Sequence, residues 1–321
     1  MSVTKLVKSI RIACASGLFA SWAEPAFADE RWRIIVPSEA QGSTDILTRE
    51  LARQMGRKLN GTVEVENQTG KSGAIAARKV LAAAPDSGVL MMATVTSHAI
   101  ALGLPEPAGY RPDEFTPIAM IGTAPYLLVV ANSSPYKSVL ELVVAARKEK
   151  LEYSSTGTGG PHHLVGELFA QKANATLVHR PYKGGADALG AVTSGKLHLM
   201  LPAAILALPK MREGAVRVLA TTGSQRSPRI PDVPTMGEAG LAGFEADSWY
   251  ALVGPPQMAP PQVRRLSEIA GTVLRDPSFI KVLEENGVDA GGLERNSIPA
   301  FLIAEANKWG GLVKSLQGNS K

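Results

Sequence analysis

The sequence predicts an α/β fold, because short apolar runs with strand character alternate with amphipathic helical segments along the chain. Strand character is found over 33–36, 62–65 and 89–95, and apolar residues recur at helical spacing over 46–59 and 74–83. This alternation is typical of parallel or mixed sheets that are flanked by helices. Ligands in such folds bind beyond the carboxyl ends of the strands.

The first 28 residues have the features of an export signal. Three basic side chains lie within the first 11 residues, a mostly apolar run follows over 12–23, and Ala26 and Ala28 give the small-x-small cleavage pattern. The apolar run is shorter than the roughly 20 residues that a transmembrane helix needs. We therefore expect cleavage after Ala28 and export to the periplasm.

The composition argues against several classes of protein. The chain of 321 residues has 34 basic and 29 acidic side chains, a net charge of +5, and only 5% aromatic residues. No basic run is present, so nucleic-acid binding is not expected. The single cysteine, Cys14, lies in the predicted signal, so the exported chain should have neither a disulfide nor a cysteine-bound metal.

A segment rich in glycine and hydroxyl side chains, 154–160, is the strongest functional signal in the sequence. It follows a predicted strand and runs into a helical pattern that begins near Leu164. Backbone N–H groups, hydroxyl groups and the positive end of a helix dipole would converge there, which suits an anion such as a carboxylate. The alternative is a tight turn that needs glycine for its backbone conformation alone. The candidate ligand contacts are Ser155, Gly157, Thr158, Gly159 and Gly160.

A second helix start in the first half of the chain offers similar chemistry. Gly42 follows the first predicted strand, and either Ser43 or Thr44 could cap the helix that begins there. The sequence thus predicts two helix starts that favour anions, one in each half of the chain.

Motifs for catalysis, nucleotides and metals are incomplete. Gly70-Lys71-Ser72 resembles the end of a phosphate-binding loop, but Val65 stands where that loop requires glycine. The pair His163 and Glu167 could face one side of a helix as metal ligands, but no third clustered donor accompanies it. No Gly-x-Ser-x-Gly elbow occurs. We therefore expect no catalytic residue, no metal and no cofactor.

Several motifs that occur in a fixed order give the chain a family resemblance. They are Val36-Pro37 with Gly42-Ser43-Thr44-Asp45, Glu66-Asn67 with Gly70 and Gly73, Pro85-Asp86, the Gly-rich segment up to His163, Arg180-Pro181-Tyr182-Lys183-Gly184-Gly185, and the proline-rich stretch from Arg226 to Thr235 with Glu238 and Gly240. Together these motifs resemble the substrate-binding receptors of tripartite tricarboxylate transporters, the Bug receptor family. The resemblance extends over about 32–309. The chain departs from the family pattern at 38–42, Gln68 and Asp187.

The resemblance implies a two-lobed periplasmic-binding-protein fold of the second type, with a ligand cleft between the lobes. The chain would cross between the lobes twice, at the predicted strands 126–131 and 248–253. The first lobe would then comprise 29–131 and 247–321, and the second lobe 132–246.

The resemblance also implies which residues meet the ligand, a small organic anion. Besides the Gly-rich segment, the predicted contacts in the first lobe are Ala40, Gln41, Gly42, Ser43 and Thr44, with Thr96, Ser97 and His98 at the floor of the cleft. The other end of the ligand would meet Tyr182, Lys183, Gly184, Gly185 and Asp187.

Several of these side chains have two interpretations. His163 could bind the ligand directly, but a hydrogen bond that fixes the shape of the loop is the favoured role, and His162 is expected to be solvated. Tyr182 is favoured over Lys183 as a cleft-lining residue. The proline-rich stretch 227–235 is expected to be a rigid surface loop, with docking to a membrane partner as the alternative.

The predicted function is a monomeric periplasmic receptor that captures a small carboxylate and delivers it to a membrane permease. One alternative is a sensor that presents its ligand to a membrane signalling partner. A less favoured alternative is an enzyme in which His163 or Asp187 acts as a base.

Overall fold

The computed structural model describes residues 31–318, so the predicted export signal, its cleavage site and Cys14 lie outside the described residues. The strands are β1 (Arg31–Val36), β2 (Thr62–Asn67), β3 (Val89–Thr94), β4 (Thr116–Pro125), β5 (Leu127–Ala131), β6 (Leu151–Ser155), β7 (Leu177–Pro181), β8 (Leu199–Met200), β9 (Val216–Thr221), β10 (Asp247–Gly254) and β11 (Asp289–Ala290).

Helices alternate with these strands. They are α1 (Ser43–Leu59), α2 (Ala74–Leu81), α3 (Ala101–Gly103), α4 (Val139–Lys148), α5 (Pro161–Ala173), α6 (Gly185–Thr193), α7 (Ala204–Arg212), α8 (Pro260–Val273), α9 (Pro277–Glu285) and α10 (Ile298–Gly318). A π-helical turn, Thr96–Ile100, leads into α3. None of the helices between residues 31 and 318 combines the length and the apolar character of a membrane-spanning segment.

The strands form two mixed sheets, one in each lobe. The six-stranded sheet has the order β11-β4-β10-β3-β1-β2, and the five-stranded sheet has the order β7-β6-β8-β5-β9. Strands β1, β2 and β3 are parallel to one another, as are β6, β7 and β8, whereas β10 is antiparallel to both of its neighbours. The predicted two-lobed α/β fold is therefore confirmed.

The first crossing between the lobes lies earlier than the predicted boundary at 131/132. Strand β4 ends at Pro125 in the first sheet, and β5 already pairs with β8 and β9 in the second sheet. The polar break after Ala131, which suggested the boundary, is the end of a second-lobe strand. The second crossing was predicted at 246/247, and β10 begins there, at Asp247.

A single buried threonine ties the two crossings together. The Thr222 hydroxyl accepts a hydrogen bond from the Tyr126 amide at 2.9 Å and donates one to the Ala246 carbonyl at 2.8 Å. Its amide donates to the Tyr126 carbonyl at 3.0 Å. Because Thr222 is fully buried, these bonds hold both crossing segments at one fixed point between the lobes.

The proline-rich stretch 227–235 is more than a surface loop, because it reaches across to the first lobe. The Arg229 guanidinium pairs with the Asp289 carboxylate at 2.7 Å and also donates to the Val288 carbonyl. Ser227 and Ile230 of the same stretch are buried. The stretch therefore joins the second lobe to the edge of the first sheet.

The C-terminal helix α10 packs against both lobes through a shared apolar core. Trp309 of α10 belongs to the same buried cluster as Trp249 of β10 and Phe169 of α5. Both indole N–H groups donate to one carboxylate oxygen of Glu305, each at 2.9 Å. Glu305 is only 7% exposed, so it is the buried acceptor that joins the crossing strand to the helix.

We expect Glu305→Ala to lower the free energy of unfolding by about 2–5 kcal/mol, because two buried indole N–H groups lose their acceptor. Glu305→Gln keeps an acceptor oxygen and should cost less. Urea unfolding followed by tryptophan fluorescence measures both variants. Equal stability of the parent and Glu305→Ala would show that the shared acceptor contributes nothing.

Candidate functional site

The loops that follow β1 and β6 approach a common floor made by the two crossing segments. The ring of Tyr126 packs edge-on against His162, at the start of α5, with 5.6 Å between centroids. Burial raises the pKa of Tyr250, and the nearby side chains of Ser248 and of Thr44, at the start of α1, oppose that rise. Ser248 is close enough to Tyr126, as to Tyr250, to oppose the rise in pKa that burial causes. The floor therefore connects the helix starts that the sequence predicted as anion sites.

The second-lobe loop alternates in backbone conformation. Gly157 has φ of 128° and Gly159 has φ of 77°, whereas Thr158 between them has a negative φ. A side chain at either glycine would meet no neighbouring atom within 4 Å, so the conformation and not crowding requires glycine there. Residues of alternating φ sign are typical of loops whose neighbouring N–H groups form an anion-binding concavity.

Two side chains accept hydrogen bonds from alternate backbone amides of this loop. The Gly157 N–H donates to the Ser155 hydroxyl at 3.1 Å, and the Gly159 N–H donates to Nδ1 of His163 at 3.0 Å. Within residues 31–318, neither Thr158 nor Gly160 donates its N–H in a hydrogen bond of regular geometry, although Gly160 closes a turn that begins at Gly157. These two amides adjoin the start of α5, which has no acidic residue in its first turn.

Ser155 lies inside the loop. The residue is fully buried, and its hydroxyl contacts Nε2 of His179 at 2.6 Å and the Gly157 carbonyl at 3.1 Å. The sequence had suggested Ser155 as a direct donor to the ligand. In this structure its hydroxyl has internal partners and shapes the loop instead.

His163 makes the hydrogen bond to the loop that the sequence analysis favoured, whereas His162 differs from its prediction. The Ala203 N–H donates to Nε2 of His162 at 3.3 Å, and Nδ1 of His162 contacts the Thr156 hydroxyl at 2.7 Å. His162 is therefore half-buried, and both of its ring nitrogens have protein partners. The signal that could have revealed this is its position in the first turn of α5, where it faces the crossing strand.

The histidines around this loop are uncharged near neutral pH. Burial lowers the pKa of His162 to about 4, and burial together with the neighbouring His163 lowers the pKa of His179 to about 4. Burial also lowers the pKa of His163. The loop consequently offers an anion neutral donors and a helix end without a histidine cation.

Hydrogen bonds to a buried carboxylate hold the first-lobe loop, 37–42, in place. Asp45 is 2% exposed and accepts hydrogen bonds from the Gln41 amide, Arg49 and Asn67, each at 2.9 Å. Asn67 also donates to the Ser38 carbonyl at 3.1 Å. This network explains why Gln41 can adopt a left-handed φ of 68°.

The start of α1 differs from the predicted cap. Gly42 occupies the N-cap position and no side chain caps it, so neither Ser43 nor Thr44 has the role that the sequence suggested. Asp45 reaches back to the Gln41 amide instead. Ala40, Gln41 and Gly42 are exposed, and Ser43 and Thr44 are half-buried at the edge of the loop.

The predicted floor residues lie mostly beneath the surface of the first lobe. Ser97 and His98 are fully buried, with the Ser97 hydroxyl 3.0 Å from Nδ1 of His98 and the Ser97 carbonyl accepting from Tyr110. Thr96 is half-buried. The floor that connects the two loops is formed by Tyr126, Ser248 and Tyr250, which sequence analysis placed only in crossing strands.

The segment predicted to meet the far end of the ligand follows β7. Its Tyr182 is half-buried and donates its amide to the Ser155 carbonyl at 2.9 Å, which ties the two loops together. Lys183 and Asp187 are exposed, and neither forms an ion pair within the described chain. Gly184 is the N-cap of α6, and a side chain on Gly185 would lie 2.6 Å from Leu206. Gly185 thus permits close packing of α6 against α7.

A cavity of about 450 Å³ is lined by the other face of β10. Asp247 and Trp249 contribute to it, and they alternate along the strand with the floor residues Ser248 and Tyr250. Burial raises the pKa of Asp247 to about 6. The acidic side chains that line the cavity are Glu245, Asp247, Asp289 and Glu305, and the basic ones are Arg226 and Lys308. This lining does not favour an anion.

Metal chemistry has no evident site in the part of the chain that the structure describes. No group of three or more histidine, cysteine, aspartate or glutamate side chains between residues 31 and 318 is arranged to hold a metal ion.

Comparison with known proteins places these features in a family. The profile of the tripartite tricarboxylate transporter family receptor matches residues 47–317. BugT from Bordetella pertussis is 28% identical over 324 residues, which cover 98% of this chain and 98% of that protein.

Two solved proteins from Rhodopseudomonas palustris are similar in both sequence and fold. MatC, solved with bound malate, is 28% identical, has a TM-score of 0.71, and the match covers 88% of this chain and 99% of MatC. A second protein, solved with adipate, is 30% identical, has a TM-score of 0.74, and the match covers 88% of this chain and 96% of that protein.

We expect Asp45→Asn to lower the free energy of unfolding near neutral pH by about 1–3 kcal/mol, because the buried network loses a charged acceptor. Burial alone would raise the pKa of Asp45, but the hydrogen bonds from Arg49, Gln41 and Asn67 outweigh it and hold this pKa below its ordinary value of 3.8. The stabilisation is therefore complete above the unfolded pKa and is lost as the pH falls through the folded pKa.

Urea unfolding of the parent and Asp45→Asn over a series of pH values measures this contribution. The gap between them should close in acid, below the unfolded pKa. Asp113→Asn, which removes an exposed pair with Arg111, is the control and should show a much smaller gap. A gap that stays constant into acid would mean that the ionised form of Asp45 does not hold the loop.

Proposed function

This chain belongs to the receptor family of tripartite tricarboxylate transporters, as its motifs predicted, and on that basis we propose that it binds small carboxylates in the periplasm. The ligand would lie between the two lobes and pass to a membrane permease. The observation that carries the proposal is the second-lobe loop, in which the amides of Thr158 and Gly160 lack an acceptor beside the start of α5. Malate and adipate in two relatives of similar fold support a carboxylate as the ligand class.

The proposed contacts combine the two loops. One carboxylate would accept hydrogen bonds from Thr158 and Gly160 and from the free amides at the start of α5. The exposed loop that ends at Gly42, with the first turn of α1, would supply donors from the first lobe. Hydrogen bonds to a charged acceptor are worth about 1.5–3 kcal/mol each, so a few of them suffice without a paired arginine.

The receptor would work by differential binding. Contacts from both lobes to one anion are possible only when the lobes are close together, so the ligand would shift the population toward the closed form. Tyr126 and Ser248 lie where the chain crosses between the lobes, so this movement would pivot near them. Their contacts with His162 and Tyr250 would keep each loop aligned with the floor.

An enzymatic role finds less support. His163, one candidate base, already accepts a hydrogen bond from the Gly159 amide, and Asp187, the other, is exposed. Neither faces a nucleophile in the manner of a catalytic pair. Turnover of a bound carboxylate by the purified protein would contradict the receptor proposal, as would the absence of binding across a panel of small carboxylates in a thermal-shift screen.

We expect Gly159→Val to weaken the affinity for malate or adipate at least about tenfold, because a β-branched residue disfavours a positive φ and would reorient the neighbouring amides. Gly195→Val is the matched control. Gly195 has a φ of 75° and the same open surroundings, but it lies at the far end of α6. Isothermal titration calorimetry measures the affinities, and urea unfolding measures the cost to the fold.

The two glycine variants should lose similar stability and differ in binding. If Gly159→Val binds as tightly as the parent while remaining folded, the second-lobe loop is not the ligand site. If both variants lose binding equally, the effect is general destabilisation and the loop has no special role.

We expect Asp187→Asn to raise the affinity for dicarboxylates relative to monocarboxylates. An exposed carboxylate in the first turn of α6 would repel a second acidic group at the far end of the ligand. Lys183→Met removes the nearby cation and should do the opposite. Calorimetric titrations with adipate and a monocarboxylate of equal length test this, and an unchanged ratio in Asp187→Asn would place that side chain outside the site.

A further inference from the structure

The pairing of β6 with β7 builds a stack of rings beneath the second-lobe loop. These strands are parallel, with Tyr153 opposite His179 in register. Ser155 follows Tyr153 by two residues, so its side chain lies on the same face of the sheet. His179 can therefore contact both, with its ring 5.1 Å from Tyr153 and its Nε2 atom 2.6 Å from the Ser155 hydroxyl.

The stack continues onto the helix that the loop enters. The ring of His163, in the first turn of α5, lies over His179 with 3.9 Å between centroids and 26° between planes. On its far side, Nε2 of His163 lies 3.7 Å from the Glu167 carboxylate. Tyr153 donates its hydroxyl hydrogen to the same carboxylate at 2.6 Å. His179 is thus the central ring, with a polar contact to Ser155 and a face contact to His163.

The hydrogen bonds fix the protonation of His163. Because the Gly159 N–H donates to Nδ1, that nitrogen carries no proton, and the ring proton lies on Nε2, which faces Glu167. Burial keeps His163 and His179 neutral by lowering the pKa of each, and His163 also lowers that of His179. The stack is therefore a neutral support that presents one acceptor to the loop.

The contacts of this ring stack affect which backbone amides of the loop are available to a ligand. Ser155, held by His179, takes the Gly157 N–H, and His163, supported by the same ring, takes the Gly159 N–H. Within the loop, the intervening amides of Thr158 and Gly160 are left for an anion, beside the free amides at the start of α5. If either acceptor moved, the peptide planes could rotate and the free amides would no longer point to one place.

We propose that His179 is a positioning residue for the ligand loop: through Ser155 and His163 it assigns the amides of Gly157 and Gly159 to internal acceptors and leaves those of Thr158 and Gly160 to the ligand. This inference rests on the proposed carboxylate-binding function. The contacts of His179 are with Ser155, Tyr153 and His163, so its effect on affinity would be indirect.

The test compares three variants with the parent in calorimetric titrations with malate and with adipate. We expect His179→Ala to weaken binding about tenfold, the equivalent of one hydrogen bond to a charged acceptor. His179→Gln places an amide near the position of Nε2 and should restore most of the lost affinity. His198→Ala is the matched control, because Nδ1 of His198 accepts only the Glu152 amide, at 3.0 Å, away from the loop.

A second readout separates positioning from general destabilisation. The Gly157 amide proton reports the Ser155 hydroxyl directly, so its resonance in amide correlation spectra of the unliganded protein should shift in His179→Ala and return toward the parent position in His179→Gln. It should not shift in His198→Ala. A purely structural role would lower the stability of the histidine variants without this residue-specific pattern.

These experiments separate a failure of the positioning role of His179 from a failure of the proposed carboxylate-binding function. If the parent binds neither malate nor adipate nor any other carboxylate of the panel, the carboxylate function fails. If the parent binds one of them and His179→Ala binds it equally well, only the role of His179 is overturned. The same conclusion follows if His179→Ala and His198→Ala lose affinity to the same extent.

Discussion

Backbone amides that lack an internal acceptor, beside the start of a second-lobe helix, are the groups on which the proposed ligand site depends. Such groups need an external acceptor, and at an exposed or half-buried loop water or an anion can supply it. In the second-lobe loop, the amides of Thr158 and Gly160 meet this description, because the side chains of Ser155 and His163 take the amides on either side. The helix end adds a favourable dipole without adding a competing charge.

The remainder of the fold joins the two lobes through contacts around the crossings. Thr222 joins the two crossing segments, and Glu305 joins β10 to the C-terminal helix through two indoles. Arg229 adds a contact from the second lobe to Asp289 at the edge of the first sheet. These contacts lie around the crossings and not at the loops, so each lobe could carry its own loop as a unit when the lobes move about the crossings.

Local sequence patterns sufficed for the class of fold and for the position of the Gly-rich loop, because periodicity and glycine content act over a few residues. Three features depended on distant pairing and could not be predicted in this way. Ser155 is enclosed because the β6–β7 register places His179 beside it. The first crossing precedes the predicted boundary because the apolar run after Tyr126 does not reveal which sheet it joins. At the start of α1, Asp45 and not Ser43 or Thr44 accepts a backbone N–H, and Asn67, 22 residues away, also fixes its ionised side chain.

The central claim is that a carboxylate binds the alternate amides of the second-lobe loop, and amide correlation spectra recorded during a titration with malate or adipate test it most directly. We predict that the largest ligand-induced shifts fall on the amides of Thr158 and Gly160, with smaller shifts at Gly157 and Gly159, whose N–H groups already have acceptors. Saturable shifts centred instead on the cavity around Asp247 and Trp249, with the loop amides unchanged, would contradict it.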